Sequence, residues 1–185
     1  MSSFDNIPSS IRVPPPLQGL WGPPGTPNYQ PQPHPYQGAS YQTFNPSEMR
    51  SAYSLCISGV VPRPIALTST LSADGVRNVA PFSYFNIMSH DPPHVTIGIC
   101  KNPDGTSKDT LRNIEETKEF VINIMSDWYV ESANHCCGDF TYEEDEVTRS
   151  GLTPLPSDVV KPCRIAESGF HMVHHDKFSS FLCYS

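Results

Sequence analysis

The sequence predicts a mainly β domain with short helices, antiparallel in its strand pairing and preceded by a proline-rich tail. Three observations carry this expectation. Pro64-Ile-Ala-Leu-Thr-Ser-Thr-Leu71 is rich in apolar and β-branched residues, and Val76–Phe82 can pair back on it through Ser72-Ala-Asp74-Gly75, a turn with Asp-Gly at its tip. His94-Val-Thr-Ile-Gly-Ile-Cys100 alternates strictly, with Val95, Ile97 and Ile99 on one face, the period of a half-buried strand. Glu119-Phe-Val-Ile-Asn-Ile-Met125 reads as a further strand.

Eleven of the 20 prolines precede Met49. Proline fixes φ and lacks a backbone donor, so residues 1–46 read as a disordered tail of polyproline character, with too few aliphatic residues to offset the entropy of ordering. Its Pro31-Gln-Pro33-His-Pro35-Tyr36 stretch could engage a proline-binding partner or be a plain flexible extension. Ser47 with Arg50, Ala52 and Leu55 suggests a short helix where ordered sequence begins. Pro81 would delete a ladder donor, so the second strand should bulge or end there. Lys108–Lys118 reads as a helix with Asp109 as N-cap and Leu111 and Ile114 on its buried face. Ser126-Asp127 caps a second short helix through Asn134. The acidic run Glu143–Glu146 reads as a solvated face, and Gly151–Pro156 as a loop.

Charge and composition exclude several classes. A formal net charge of -7 argues against a nucleic-acid binder and against a basic membrane-binding surface. No apolar run approaches the ~20 residues of a membrane span. The N-terminal residues show neither a signal peptide nor a transit peptide, so a cytoplasmic location is the expectation, with the six cysteines reduced. His135-Cys136-Cys137 and the histidines at 171, 174 and 175 contain metal-binding types but lack the spacing of a metal site, so no metal is expected. His171 and His175 would share one face if this segment were helical.

Four segments stand in order along the chain: Pro62-Arg63-Pro64-Ile-Ala-Leu-Thr-Ser-Thr70; Asp74-Gly75-Val-Arg-Asn78-Val-Ala-Pro-Phe-Ser-Tyr-Phe-Asn86; Lys108-Asp-Thr-Leu-Arg-Asn113; and Phe120-Val-Ile-Asn123. Together they resemble the flavin reductase-like, FMN-binding split-barrel family. Gly151-Leu-Thr and Cys163-Arg-Ile-Ala-Glu-Ser168 also stand in the family's order. The resemblance covers residues 47–168. It implies an antiparallel, Greek-key-like split β-barrel, a homodimer, FMN rather than FAD as cofactor, NAD(P)H as a transient electron donor and a small-molecule acceptor. It places Ser69, Thr70, Lys108 and Thr110 on the phosphate side of the flavin, and Ala80, Pro81, Phe82, Ser83, Phe85 and Asn86 along the ring. Arg63 is expected near the ring's N1–O2 edge, where a cation would stabilise reduced flavin; an exposed or carboxylate-paired Arg is the alternative. For Phe82 and Phe85 the alternative is core packing, and for Ser83 and Asn86 turn capping.

The chemistry of the residues is compatible. A phosphate needs a cation and several donors, and a helix start supplies free amides and a favourable dipole. Hydride transfer is the cofactor's own chemistry, so no catalytic side chain is assigned and no acid–base dyad is required. Residues 169–185 resemble nothing in the family and read as an unrelated tail, which leaves the barrel incomplete at the C-terminus. Two other readings stay open: an inactive truncated barrel, and a proline-rich interaction protein that uses the barrel as scaffold.

Overall fold

The computed structural model describes residues 43–45, 48–49 and 52–175. Residues 1–42, which hold most of the expected proline-rich tail, and the last ten residues therefore lie outside the described residues. The chain divides into two units after Arg50, and every element below belongs to the second.

The elements are α1 (Tyr53–Gly59), β1 (Ala66–Leu71), β2 (Arg77–Phe82), β3 (Phe85–His90), β4 (Pro93–Ile97), α2 (Asp109–Thr117), β5 (Glu119–Ile124), a 3-10 turn (Asp127–Tyr129), α3 (Val130–His135), α4 (Glu146–Arg149), β6 (Pro154–Leu155), β7 (Arg164–Ile165) and β8 (His171–His175). One four-stranded sheet has the order β2-β1-β5-β8, all antiparallel, and two hairpins, β3-β4 and β6-β7, accompany it. The architecture is mainly β with short helices, as the sequence predicts.

Both faces of the central sheet are buried, and strand alternation sorts its side chains between two cores. On one face Ala66, Phe82, Phe120 and Ile122 pack with Leu111 and Ile114 of α2 and with Phe85 and Ile97 of the β3-β4 hairpin. On the other, Leu67 and Val79 pack with Tyr129, Ala133, Val147 and Ile165. The second core is pinned by a buried amide. Asn123 Nδ2 donates to Leu67 O (2.9 Å) and to Ser69 Oγ (3.2 Å), and its Oδ1 accepts from Ile165 N (2.8 Å).

The predicted β1-β2 hairpin is closed by Gly75 at φ +87° and by Val76 N donating to Ser72 Oγ (3.0 Å). Pro81 does not bulge β2, which ends one residue later. β2 is an edge strand, and Pro81 shares the outward-facing phase of Val79, whose N–H leaves the sheet for a side chain; no ladder bond is lost.

Several expectations are corrected. Lys108, not Asp109, is the N-cap of α2, and no side chain caps that end. The Ser126-Asp127 start opens a 3-10 turn before α3, without a side-chain cap. The acidic run is not wholly solvated: Asp145 caps α4 through Thr148 N, and Glu146 is buried. β3 was not anticipated, because Ile87 and Met88 are both exposed and the strand lacks an alternating pattern. His171–His175 form a strand on β5 rather than a helix, with Asn123 opposite His171 and His174 stacked on Phe120 at 4.5 Å.

Replacing Asn123 by Leu orphans the buried Ile165 amide and removes the side-chain donor to Leu67 O and Ser69 Oγ. Urea unfolding should show a loss of about 2–4 kcal/mol, where an isosteric swap on the surface would cost under ~0.5 kcal/mol.

Candidate functional site

A cleft of about 490 Å³ opens at the free edge of β2. This lies in the range of small-ligand sites. Its floor is the strand segment Asn78, Ala80, Pro81 and Phe82; one wall is the start of α2, Lys108 to Thr110; the others are the 102–104 turn, the 136–140 loop and Glu146.

The floor and the helix start are joined by a buried polar network. Asn78 Nδ2 donates to Thr70 Oγ1 (3.0 Å) and to Thr110 Oγ1 (2.9 Å). Asn113 Nδ2 donates to the same Thr70 oxygen (3.1 Å), and its Oδ1 accepts from Tyr142 O–H (2.9 Å). Four residues on β1, β2 and α2 are thus locked in register, each less than a tenth exposed. The first amides of α2 have no carbonyl a turn earlier to bond, and no side chain caps them.

The electrostatics are mixed. Lys108 is the cation of the cleft lining, with Nζ 3.2 Å from Asn102 Oδ1, against Asp104, Asp109, Asp139 and Glu146. Burial pushes Asp109 up, and it pushes Glu146 up to about 7, further than the Val79 amide pulls it down. Glu146 Oε2 accepts from Val79 N at 2.8 Å. Nearby, burial also works upward on Asp145, but the Thr148 amide and the Arg77 guanidinium outweigh it and hold that carboxyl low. Cys136 is raised by burial to about 11.

Of the residues expected to hold a flavin, Ala80, Pro81, Phe82, Lys108 and Thr110 line this cleft, and Thr70 stands directly behind it. Ser69 does not join them. Strand alternation puts it on the opposite face from Thr70, where its hydroxyl donates to Cys163 O and accepts from Asn123. Phe85 is in the core. Asn86 Oδ1 accepts from Ile87 N (2.9 Å), and Ser83 Oγ accepts from Arg63 Nε (3.4 Å). Arg63 also donates to Ile57 O (2.7 Å) and Val60 O, closing the end of α1.

Sequence reasoning missed Asn78, Tyr142 and Glu146. The signal for Glu146 was present: Asp145 three residues before Thr148, with Gly151 (φ +71°) beyond, marks a short capped helix.

Comparison with known proteins agrees with this architecture. Residues 58–173 match the flavin reductase like domain, and the chain belongs to that family. A protein of Halalkalibacterium halodurans is 43% identical over 127 residues, which are 68% of this chain and 61% of the relative; one from Aquifex aeolicus is 43% identical over 116 residues, 63% of this chain and 59% of the relative. The chain thus spans about three fifths of the length of these relatives. Among solved structures, nitrilotriacetate monooxygenase component B from Bacillus cereus is 31% identical with a TM-score of 0.67, covering 72% of this chain and 67% of that one. The 2-nitrobenzoate 2-nitroreductase NbaA of Pseudomonas fluorescens is also 31% identical, with a TM-score of 0.61 over 71% and 64%. The fold is the split barrel of flavin reductases, here with its strands in one four-stranded sheet and two hairpins. No helix among the described residues is long and apolar enough to cross a membrane.

The native chain keeps the Glu146 proton where the unfolded chain releases it, because burial raises this group from 4.5 to about 7. Its contribution to stability is therefore lost as pH rises through that window. Glu146→Gln removes the titration and keeps an acceptor for Val79 N–H. Urea unfolding at pH 5 and pH 8 should show the variant gaining on the parent at pH 8 by on the order of 1–3 kcal/mol; an equal difference at both values contradicts the assignment.

Proposed function

We propose that the chain is an FMN-binding flavoprotein that works as an NAD(P)H-linked reductase of flavin or of a small-molecule acceptor, and that the β2-edge cleft is its flavin site. The observation that carries this is the junction of β2 and α2: a flat apolar strand segment, Ala80-Pro81-Phe82, beside an uncapped helix start with Lys108 and Thr110, the two held together by Asn78. A phosphate fits the helix start through free amides, the dipole and the Lys108 charge. A flat ring fits the strand segment, where Pro81 offers no N–H and Phe82 offers an apolar face. FMN suits the cleft better than FAD, whose second phosphate would meet Asp104, Asp109 and Asp139.

When bound, a flavin supplies the capacity to take a hydride from a nicotinamide and pass electrons onward. The chain's residues supply the holding. Thr110 keeps its hydroxyl oriented through Asn78. Thr70 acts from behind, as the acceptor that fixes both Asn78 and Asn113. Arg63 and Ser83, joined at the β2-β3 turn, and Asn86 are assigned to the ring's polar edge, next along the chain from Phe82. Ser69 is assigned to the β1-β5-β7 junction instead.

The same reading includes a homodimer. α1 buries none of its residues, and Tyr53, Val60, Val61, Ile87 and Met88 are each at least 61% exposed. So much apolar side chain in water is the mark of an interaction surface.

Two measurements test the reading. FMN titration followed by flavin fluorescence should saturate, and Lys108→Ala should weaken FMN at least about tenfold while leaving riboflavin, which lacks the phosphate, within about twofold. Equal losses for both ligands would move the phosphate elsewhere. By light scattering after gel filtration the chain should run as a dimer, and Met88→Glu should shift it towards monomer; an unchanged mass would place the interface off β3.

A further inference from the structure

Glu146 is a buried acid in a cleft assigned to an anion. It is 8% exposed, and one of its oxygens is committed to the Val79 amide on the outer edge of β2. None of the ion pairs among the described residues includes it: Arg77 pairs with Asp145 and Arg149 with Glu144. The groups that face it are mostly of its own sign or neutral. From α2 come Asp109 and, farther along the lining, Lys108; from the end of α3 and its loop come Cys136, Cys137 and Asp139; from its own segment come Glu144 and Asp145. A phosphate at the start of α2 would add two more negative charges to this set. Like charges in a site of low dielectric cannot all stay ionised, and the acid whose ionised form is least stabilised takes the proton.

We propose that Glu146 makes the cleft a proton-coupled anion site: a phosphate-bearing ligand enters together with one solvent proton, which Glu146 takes up on a carboxylate oxygen, whereas the same ring without its phosphate enters with none. The inference rests on the flavin reading and adds to it a residue that sets which charge state the site accepts. Burial and its acidic neighbours already hold Glu146 near neutrality, so uptake occurs in the physiological range. Glu146 is a positioning residue: protonated or not, it anchors β2 through Val79, but only its neutral form leaves its wall of the cleft without a charge that opposes the phosphate.

The test is FMN and riboflavin binding between pH 7 and 8.5, above the second ionisation of a phosphate monoester near ~6. FMN affinity should fall with rising pH, by up to about tenfold per unit, with close to one proton taken up per FMN as read by calorimetry in buffers of different ionisation enthalpy. Riboflavin affinity should be flat, and Glu146→Gln should flatten the FMN profile, while Asp109→Asn should keep its slope. FMN binding that is independent of pH and takes up no proton overturns the inference and leaves the flavin reading intact. So does a slope shared by riboflavin, or one that Asp109→Asn removes and Glu146→Gln keeps. FMN failing to bind at every pH overturns the flavin reading, and this inference with it. Should Glu146→Gln not fold, proton uptake by the unaltered chain decides the point.

Discussion

One buried hydroxyl oxygen organises the candidate site. Thr70 Oγ1 accepts from both Asn78 and Asn113, and Asn78 reaches on to Thr110. These four side chains tie the central strand, the edge strand and the start of α2 into one unit. A buried amide with one donor unmet costs roughly 1–3 kcal/mol, so each member holds the others in place. The relation between Ala80-Pro81-Phe82 and Lys108-Asp109-Thr110 follows from this network, and with it the shape of the cleft.

The edge position of β2 explains the rest. An edge strand leaves backbone groups that must be met by something other than a neighbouring strand. At Val79 the N–H is met by Glu146, and Pro81 has no N–H to meet. The same free edge that would be a pairing hazard becomes the floor of the cleft, closed by α4 on one side and by α2 on the other. Burying a carboxyl to cap that edge raises its affinity for a proton, so a device that covers the sheet also carries chemistry into the site.

Much of this was legible in the sequence. The Asp74-Gly75 hairpin, α2 and β5 carry strong local patterns: turn chemistry, helical spacing of Leu111 and Ile114, and a continuous apolar run. The family resemblance selected Ala80, Pro81, Phe82, Lys108 and Thr110, which the fold brings to one cleft. What failed to show depended on neighbours distant in sequence. Ser69 and Thr70 are adjacent and both expected at the phosphate, but alternation puts them on opposite faces of the sheet. β3 exposes Ile87 and Met88 together and so has no period. β8 is polar and histidine-rich, and it is a strand because β5 offers an edge to pair with. Glu146 looked like part of a solvated run because its partner, the Val79 amide, lies 67 residues away.

The central claim is that the flavin lies against β2 and the start of α2. Hydrogen–deuterium exchange of the full chain, with and without FMN, tests it most directly. FMN addition should slow exchange in residues 78–82 and 108–111 and leave Ser72–Gly75 and Glu116–Glu119, which line a separate cleft of about 520 Å³, unchanged. Protection confined to that second cleft, or FMN binding that leaves 78–82 and 108–111 unprotected, would contradict it.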